Sequence, residues 1–246
     1  MSTPDITPTV ALVHGAFVDA SSWNGVIAEL KAAGLDVVAP PNLLRGVGVD
    51  ASYLTGFVAA LGRPVVLAGH SYAGAVISQT GSDASNVAGL VYVAAHAPEA
   101  GETLGAINAR YPDTPLSAAL RTFTYTGERG EQATDTYVDA ALFHDAVCAE
   151  APADVADTLA RTQRPASLAC FATALTGTPA WQRLPSCPVR GHTPQRAAVR
   201  AGRRCDRVAR RPRRRRGDRG RLRLGPRGPP TSWPRSGRSA AGPWCR

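Results

Sequence analysis

An apolar run, Pro64-Val65-Val66-Leu67-Ala68, leads directly into Gly69-His70-Ser71-Tyr72-Ala73-Gly74, and small residues that suit a helix start follow. A chain passes from a buried strand to a helix in so few residues only by a tight turn. The positions two before and two after the apex of that turn must be small. Gly69 and Ala73 meet the demand, with Ala73 standing where glycine is commoner. The apex is Ser71. The turn reads as a device that presents the serine hydroxyl; the plainer alternative is a serine that only caps the helix.

The first half of the chain repeats this alternation. Val10-Ala11-Leu12-Val13 reads as a buried strand. Ser21 is expected to cap a helix with Trp23, Val26, Ile27 and Leu30 on its apolar face, closed at Gly34. Residues Asp36 to Pro40 form the next predicted strand. Asp50 is expected to cap a helix carrying Leu54, Phe57, Val58 and Leu61, ended by Gly62. The helix after the turn is predicted over about 73–80, and a further strand over Val87 to Val93. Short apolar strands between amphipathic helices predict a parallel sheet covered on both faces.

These motifs are similar to those of the α/β-hydrolase superfamily, in particular small bacterial serine hydrolases related to plant methylesterases and hydroxynitrile lyases. The resemblance runs from about Thr9 to Ser186. It is carried by Leu12-Val13-His14-Gly15-Ala16-Phe17, Ala20-Ser21-Ser22-Trp23, Gly69-His70-Ser71-Tyr72-Ala73-Gly74 and Leu90-Val91-Tyr92-Val93-Ala94-Ala95. Thr162-Gln163-Arg164-Pro165 with Pro179-Ala180-Trp181 adds to it. It implies an α/β-hydrolase fold: a parallel doubly wound sheet, a helical lid over about 97–164, and C-terminal strands that are missing or degraded here. In that lid Tyr137, Leu142, Phe143 and Val147 suit one helix, and Val155 and Leu159 another; plain helical packing without a part in specificity is the alternative. It also implies a nucleophile at Ser71 and an oxyanion hole from the backbone N–H groups of Ala16 and Tyr72, with Gly15, Gly69 and Gly74 permitting close approach. His14 is expected to hold its loop rather than move a proton. His96 and Glu99, at the entry to the lid, could face the pocket or simply be solvated.

A serine nucleophile needs a histidine and a carboxylate, and the resemblance orders them serine, acid, histidine. The expected strand after Pro185 starts at Cys187-Pro188-Val189-Arg190 and breaks off. His192 is the single histidine beyond Ser186, and Asp206 and Asp218 lie among arginines and prolines. None of the three has the strand context of a catalytic base or acid.

Charge marks the same break. The whole chain carries +9 over 246 residues. Residues 1–189 hold nine Lys and Arg against 17 Asp and Glu, a balance of −8; residues 190–246 hold 19 Arg against two Asp, a balance of +17. The expected division is therefore a hydrolase core over 9–186 and an Arg/Pro/Gly-rich tail over 187–246. The tail lacks apolar periodicity and is expected to be disordered. It reads as an out-of-frame translation, because a one-base slip in a GC-rich gene turns alanine and glycine runs into arginine runs, and because real linkers do not begin inside a sheet. The rival is an arm for nucleic-acid phosphates. If the last strands are lost, Val87–Val93 becomes an uncovered apolar edge.

The five cysteines show no metal spacing, and no cofactor is implied. No stretch has the length and apolarity of a membrane span, residues 1–8 lack the features of an export signal, and a cytoplasmic location is expected. The reading is a carboxylic-ester hydrolase acting on a small ester-like molecule, with the activity of this copy left open by the missing acid and histidine. Hydroxynitrile-lyase-like chemistry, non-catalytic nucleic-acid binding through the tail, and a ligand-binding remnant stay open beside it.

Overall fold

The computed structural model describes residues 7–189. Four strands begin it: β1 (Thr9–Val13), β2 (Val37–Val38), β3 (Val65–His70) and β4 (Val87–Val93). Between them lie α1 (Asn24–Ala32), α2 (Val47–Ala60) and α3 (Ala73–Asp83). With a late strand, β8 (Ser186–Val189), they form a parallel sheet in the order β2-β1-β3-β4-β8.

Alternation along the strands sorts side chains to two apolar layers. Ala11, Val13, Val65, Leu67, Leu90 and Tyr92 face one way and pack with Leu54 and Val58 of α2 and Val76 and Ile77 of α3. Leu12, Ala68, Val91 and Val93 face the other way and pack with Trp23 and with Val26, Ile27 and Leu30 of α1. Burial on both faces explains why these strands read as continuous apolar runs.

Two helix starts differ from expectation. Asp19, not Ser21, caps a 3₁₀ turn at Ala20–Trp23, its Oδ1 accepting the Ser21 amide at 2.8 Å; α1 follows. α2 begins at Val47 after Gly46, whose φ of 127° only glycine adopts readily. Asp50 therefore lies inside the first turn, with its side chain buried.

The insertion after β4 is helical only in part. It holds α4 (Leu104–Asn108), α5 (Pro115–Ala119), α6 (Phe143–Val147) and α7 (Ala153–Thr162). It also holds an antiparallel sheet, β5 (Leu120–Thr126), β6 (Gln132–Val138) and β7 (Ala166–Ser167), and α8 (Ala169–Ala172) follows. Tyr137, expected on a helix, is in β6. The reason is visible in the residues: β-branched and aromatic side chains alternate through Thr122, Phe123, Thr124, Tyr125 and Thr126, a period of two that favours strand. Arg45 rivets this sheet to the core, donating to Asp135 Oδ1 at 2.8 Å and Oδ2 at 2.9 Å and to the Pro165 carbonyl at 3.2 Å.

β4 is not an edge. β8 pairs with it, the Leu90 amide donating to the Pro185 carbonyl and the Ala94 amide to the Val189 carbonyl, each at 2.9 Å. These bonds put residues 185 and 189 in phase toward β4. The nitrogen of Pro188 therefore faces away, where its missing N–H costs no bond to β4. The strand expected to start after Pro185 does start, at Ser186, and the described residues end with it at Val189. His192, Asp206, Asp218 and the rest of the Arg-rich tail lie outside the described residues.

Candidate active site

β1, β3 and β4 end level with one another, Val13 opposite Gly69 and His70 opposite Val93. The chain runs from β1 outward to β2, then returns to place β3 on the other side of β1. The gap between β1 and β3 is thus the point where strand order reverses and ligands of such sheets bind. Every non-glycine residue with a left-handed backbone among the described residues lies just past a strand on this edge. Phe17 (φ 66°) follows β1, Leu44 (59°) follows β2, Ser71 (52°) follows β3 and Ala94 (43°) follows β4. Each such residue costs roughly 1–2 kcal/mol, so the edge holds strain that the packed sheet below it supports.

Ser71 is locked from both sides. Its amide donates to the Val93 carbonyl at 3.2 Å, and its carbonyl accepts the amides of Gly74 and His96, each at 3.1 Å. The glycines around it are required by close approach. A methyl group on Gly74 would land on the His96 carbonyl oxygen and 2.9 Å from the Ala95 Cβ. One on Gly69 would sit 2.8 Å from the Ala73 carbonyl oxygen. One on Gly15 would sit 3.1 Å from the Ser71 Cβ and 3.0 Å from the His70 Nδ1. The loop after β1 therefore runs directly against the serine. Among the described residues no acceptor pairs with the amide of Ala16 or of Tyr72.

The other side chains are held in defined roles. His14 is fully buried. Its Nε2 accepts the Asn42 amide at 2.9 Å, so the proton is on Nδ1, which donates to the Gly15 carbonyl at 2.9 Å. Asn42 Nδ2 donates back to the His14 carbonyl at 2.9 Å. Burial, above all, pushes the His14 pKa down, and the ring stays neutral. This is the loop-holding arrangement expected of it. His96 Nε2 lies 2.9 Å from Asn108 Oδ1, and Glu99 Oε2 accepts Gln182 Nε2 at 2.9 Å.

The polar partner of Tyr72 was not legible in the sequence. Its hydroxyl donates to Asp50 Oδ2 at 2.7 Å, while Asp50 Oδ1 accepts the Arg45 amide at 3.0 Å. Burial raises the pKa of Asp50 and, far more, that of Tyr72, and it lifts the neighbouring Cys170 thiol to about 12. The ring of Tyr72 tilts against Phe171 at 6.3 Å, and Phe171 stacks on Phe17 at 6.2 Å. An aspartate in the first turn of a helix gives no sequence signal that distinguishes this use from capping. Phe17, Phe171 and the Tyr72 ring thus form a connected aromatic cluster beside the turn that carries Ser71.

Residues 10–237 match the profile of the alpha/beta hydrolase family. Solved structures share the architecture. A polyneuridine aldehyde esterase variant superposes with a TM-score of 0.61 at 17% identity, over 74% of this chain and 78% of that one. A methylesterase from Arabidopsis gives 0.58 at 16% identity, over 74% and 76%. A pyrethroid hydrolase from Sphingobium faniae gives 0.52 at 18% identity, over 69% and 72%. At these identities the likeness establishes the fold alone. No curated protein sequence matches the chain.

Proposed function

Because the chain belongs to the alpha/beta hydrolase family, we propose that it is by lineage a carboxylic-ester hydrolase with Ser71 as nucleophile. Ser71 Oγ adds to the carbonyl carbon of a small ester. The carbonyl oxygen becomes an oxyanion, held by the backbone N–H groups of Ala16 and Tyr72. Collapse expels the alkoxide, which takes up the proton given up by the Ser71 hydroxyl and leaves as the alcohol, and water then cleaves the acyl-serine. The observation that carries this reading is the left-handed backbone of Ser71 at the end of β3, with the Gly15 loop packed against it. The esterases and the pyrethroid hydrolase among the structural neighbours support the substrate class.

The proton acceptor is the weak link. The only histidine after Ser186 is His192, and the only acids there are Asp206 and Asp218. Their sequence context does not fit a triad, and we infer a reading-frame slip near residues 184–190. Without its base a serine nucleophile loses on the order of 10⁶ in turnover, while the oxyanion donors retain a residual contribution.

A fluorophosphonate probe tests the nucleophile. Labelling of the full chain that disappears in Ser71→Ala supports the assignment; labelling retained in that variant refutes it. Hydrolysis of p-nitrophenyl acetate tests the missing base separately. Ser71-dependent turnover at ordinary enzymatic rates would overturn the frame-slip reading while leaving Ser71 in place. The nucleotide sequence around the codons for Leu184 to Arg190 settles the frame itself.

A further inference from the structure

The unprotected edge in this protein is β5. Among the described residues β6 lies along one side of it and no strand lies along the other. Six of its seven residues are exposed, and its pairing with β6 runs without a bulge. Natural edges carry prolines, bulges or several charges to prevent pairing. β5 has no proline and one charge, Arg121, and five of its residues are β-branched or aromatic. Phe123 and Tyr125 are 43% and 38% exposed, with rings 6.2 Å apart, and Phe123 lies 6.0 Å from Tyr137.

The hairpin fixes which backbone groups point outward. The Gly127 amide donates to the Glu131 carbonyl at 2.7 Å, and the Asp139 amide to the Ala119 carbonyl at 2.8 Å. Both are pairs of the antiparallel ladder, so the odd-numbered residues of β5 spend their N–H and C=O groups on β6. The groups of Thr122, Thr124 and Thr126 project the other way. Those of Leu120 do too, its carbonyl accepting Arg121 Nη1 at 2.9 Å.

We propose that β5 pairs antiparallel with β5 of a second copy of this chain, about a two-fold axis at Phe123. Only the even-numbered residues can exchange hydrogen bonds across this edge, and the register centred on Phe123 uses all seven residues. It sets Thr122 opposite the second copy's Thr124, with their amides and carbonyls exchanged. Phe123 meets its own image in a non-hydrogen-bonded pair, where side chains stand closest. Arg121, its guanidinium paired with Asp139 at 3.1 Å, lies opposite the second copy's Tyr125. A register centred on Arg121 would oppose like charges. One centred on Tyr125 would leave the start of the strand unpaired, and ones centred on Thr122 or Thr124, which also exchange bonds between even-numbered residues, would each leave two of the seven residues unpaired. The strand is therefore complementary to itself over its full length in one register, which favours a second copy over an unrelated extended peptide.

Sedimentation equilibrium of the full chain tests this, at salt high enough to screen the Arg-rich segment. A monomer–dimer equilibrium is expected. Thr124→Pro removes an outward N–H and leaves the β5–β6 bonds intact, so the fold should survive while dimerisation weakens at least tenfold. Phe123→Lys opposes two like charges at the axis and should weaken it as much; it decides the matter if the proline variant fails to fold. In the wild type, the amides of Thr122 and Thr124 should exchange hydrogen more slowly at high protein concentration than at low. A wild type that stays monomeric overturns the proposal. So does a dimer unaffected by either folded variant, or one whose Thr122 and Thr124 amides exchange at the monomer's rate.

Discussion

Replacing Tyr72 by phenylalanine asks whether the residue after Ser71 is anchored through its side chain. The Tyr72 hydroxyl is 2.7 Å from Asp50 Oδ2, and both residues are 1% exposed. The variant keeps the ring against Phe171, so the loss is polar rather than hydrophobic. A hydrogen bond to a charged group contributes about 1.5–3 kcal/mol. A loss of about 2 kcal/mol corresponds to a fall in Tm of about 4–8 °C for a domain of this size. The sign of the pH dependence follows from Asp50. Burial raises its pKa in the folded state, so the folded chain binds that proton more tightly than the unfolded one. Its contribution to stability is full at acid pH and falls as pH rises from the ordinary aspartate range through the raised value. The Tyr72 hydroxyl favours the ionised form, so removing it lifts the folded pKa further. Tyr72→Phe should therefore cost more at neutral than at acid pH. Urea unfolding at both pH values measures this, alongside Asp50→Asn and the double variant, for which a coupling of at least about 1 kcal/mol is expected. A cost below about 0.5 kcal/mol, a cost independent of pH, or additive single effects would refute the anchoring.

Three further outcomes are expected. Ser71→Gly relieves a left-handed backbone and should raise stability by up to about 1 kcal/mol while abolishing fluorophosphonate labelling; a fall in Tm would contradict the strain. Gly74→Ala drives a methyl group into the His96 carbonyl and should cost at least about 1–3 kcal/mol, read as a lowered Tm or loss of soluble protein. Burial lowers the His14 pKa, and its Nε2 accepts the Asn42 amide, as a neutral ring does. Stability should be full above the unfolded histidine pKa of about 6.5 and be lost as pH falls through the lowered folded value, by up to about 1.4 kcal/mol per pH unit. In denaturant titrations between pH 7.5 and 5, His14→Gln should flatten that fall; an unchanged slope would rule His14 out as its source.

The parts of the fold legible in the sequence are those whose burial is two-sided. β4 forms at the expected residues 87–93 and β1 within one residue of expectation, because both faces of a central strand need apolar side chains. Helix starts were less legible. Asp50 looks like a cap, but α2 starts after Gly46, whose φ of 127° takes the chain into the helix, and a glycine inside an apolar stretch does not announce that turn. The insertion misled for a different reason. Its strand β5 alternates threonine with aromatics rather than polar with apolar, and an expected helical lid hid that period of two. β8 starts where a strand was expected, and its Pro188 is harmless because its nitrogen faces away from β4.

The strain at the carboxyl edge of the sheet bears on what can fail in this protein. Phe17, Leu44, Ser71 and Ala94 each hold a left-handed backbone, and four such residues together cost roughly 4–8 kcal/mol, comparable to the whole stability of many domains. The bonds that fix Ser71 run to Val93, Gly74 and His96, and the approach to Gly15 comes from β1. All of these belong to the first hundred residues. Among the described residues the position of the serine and of the two amides beside it is thus set by β1, β3, β4 and α3. On the proposed reading of Ser71 as nucleophile, its presentation and the supply of its proton acceptor are separate structural problems. A change of reading frame near residue 187 would remove the second and leave the first in place, so labelling of Ser71 and turnover of an ester should part company in this chain.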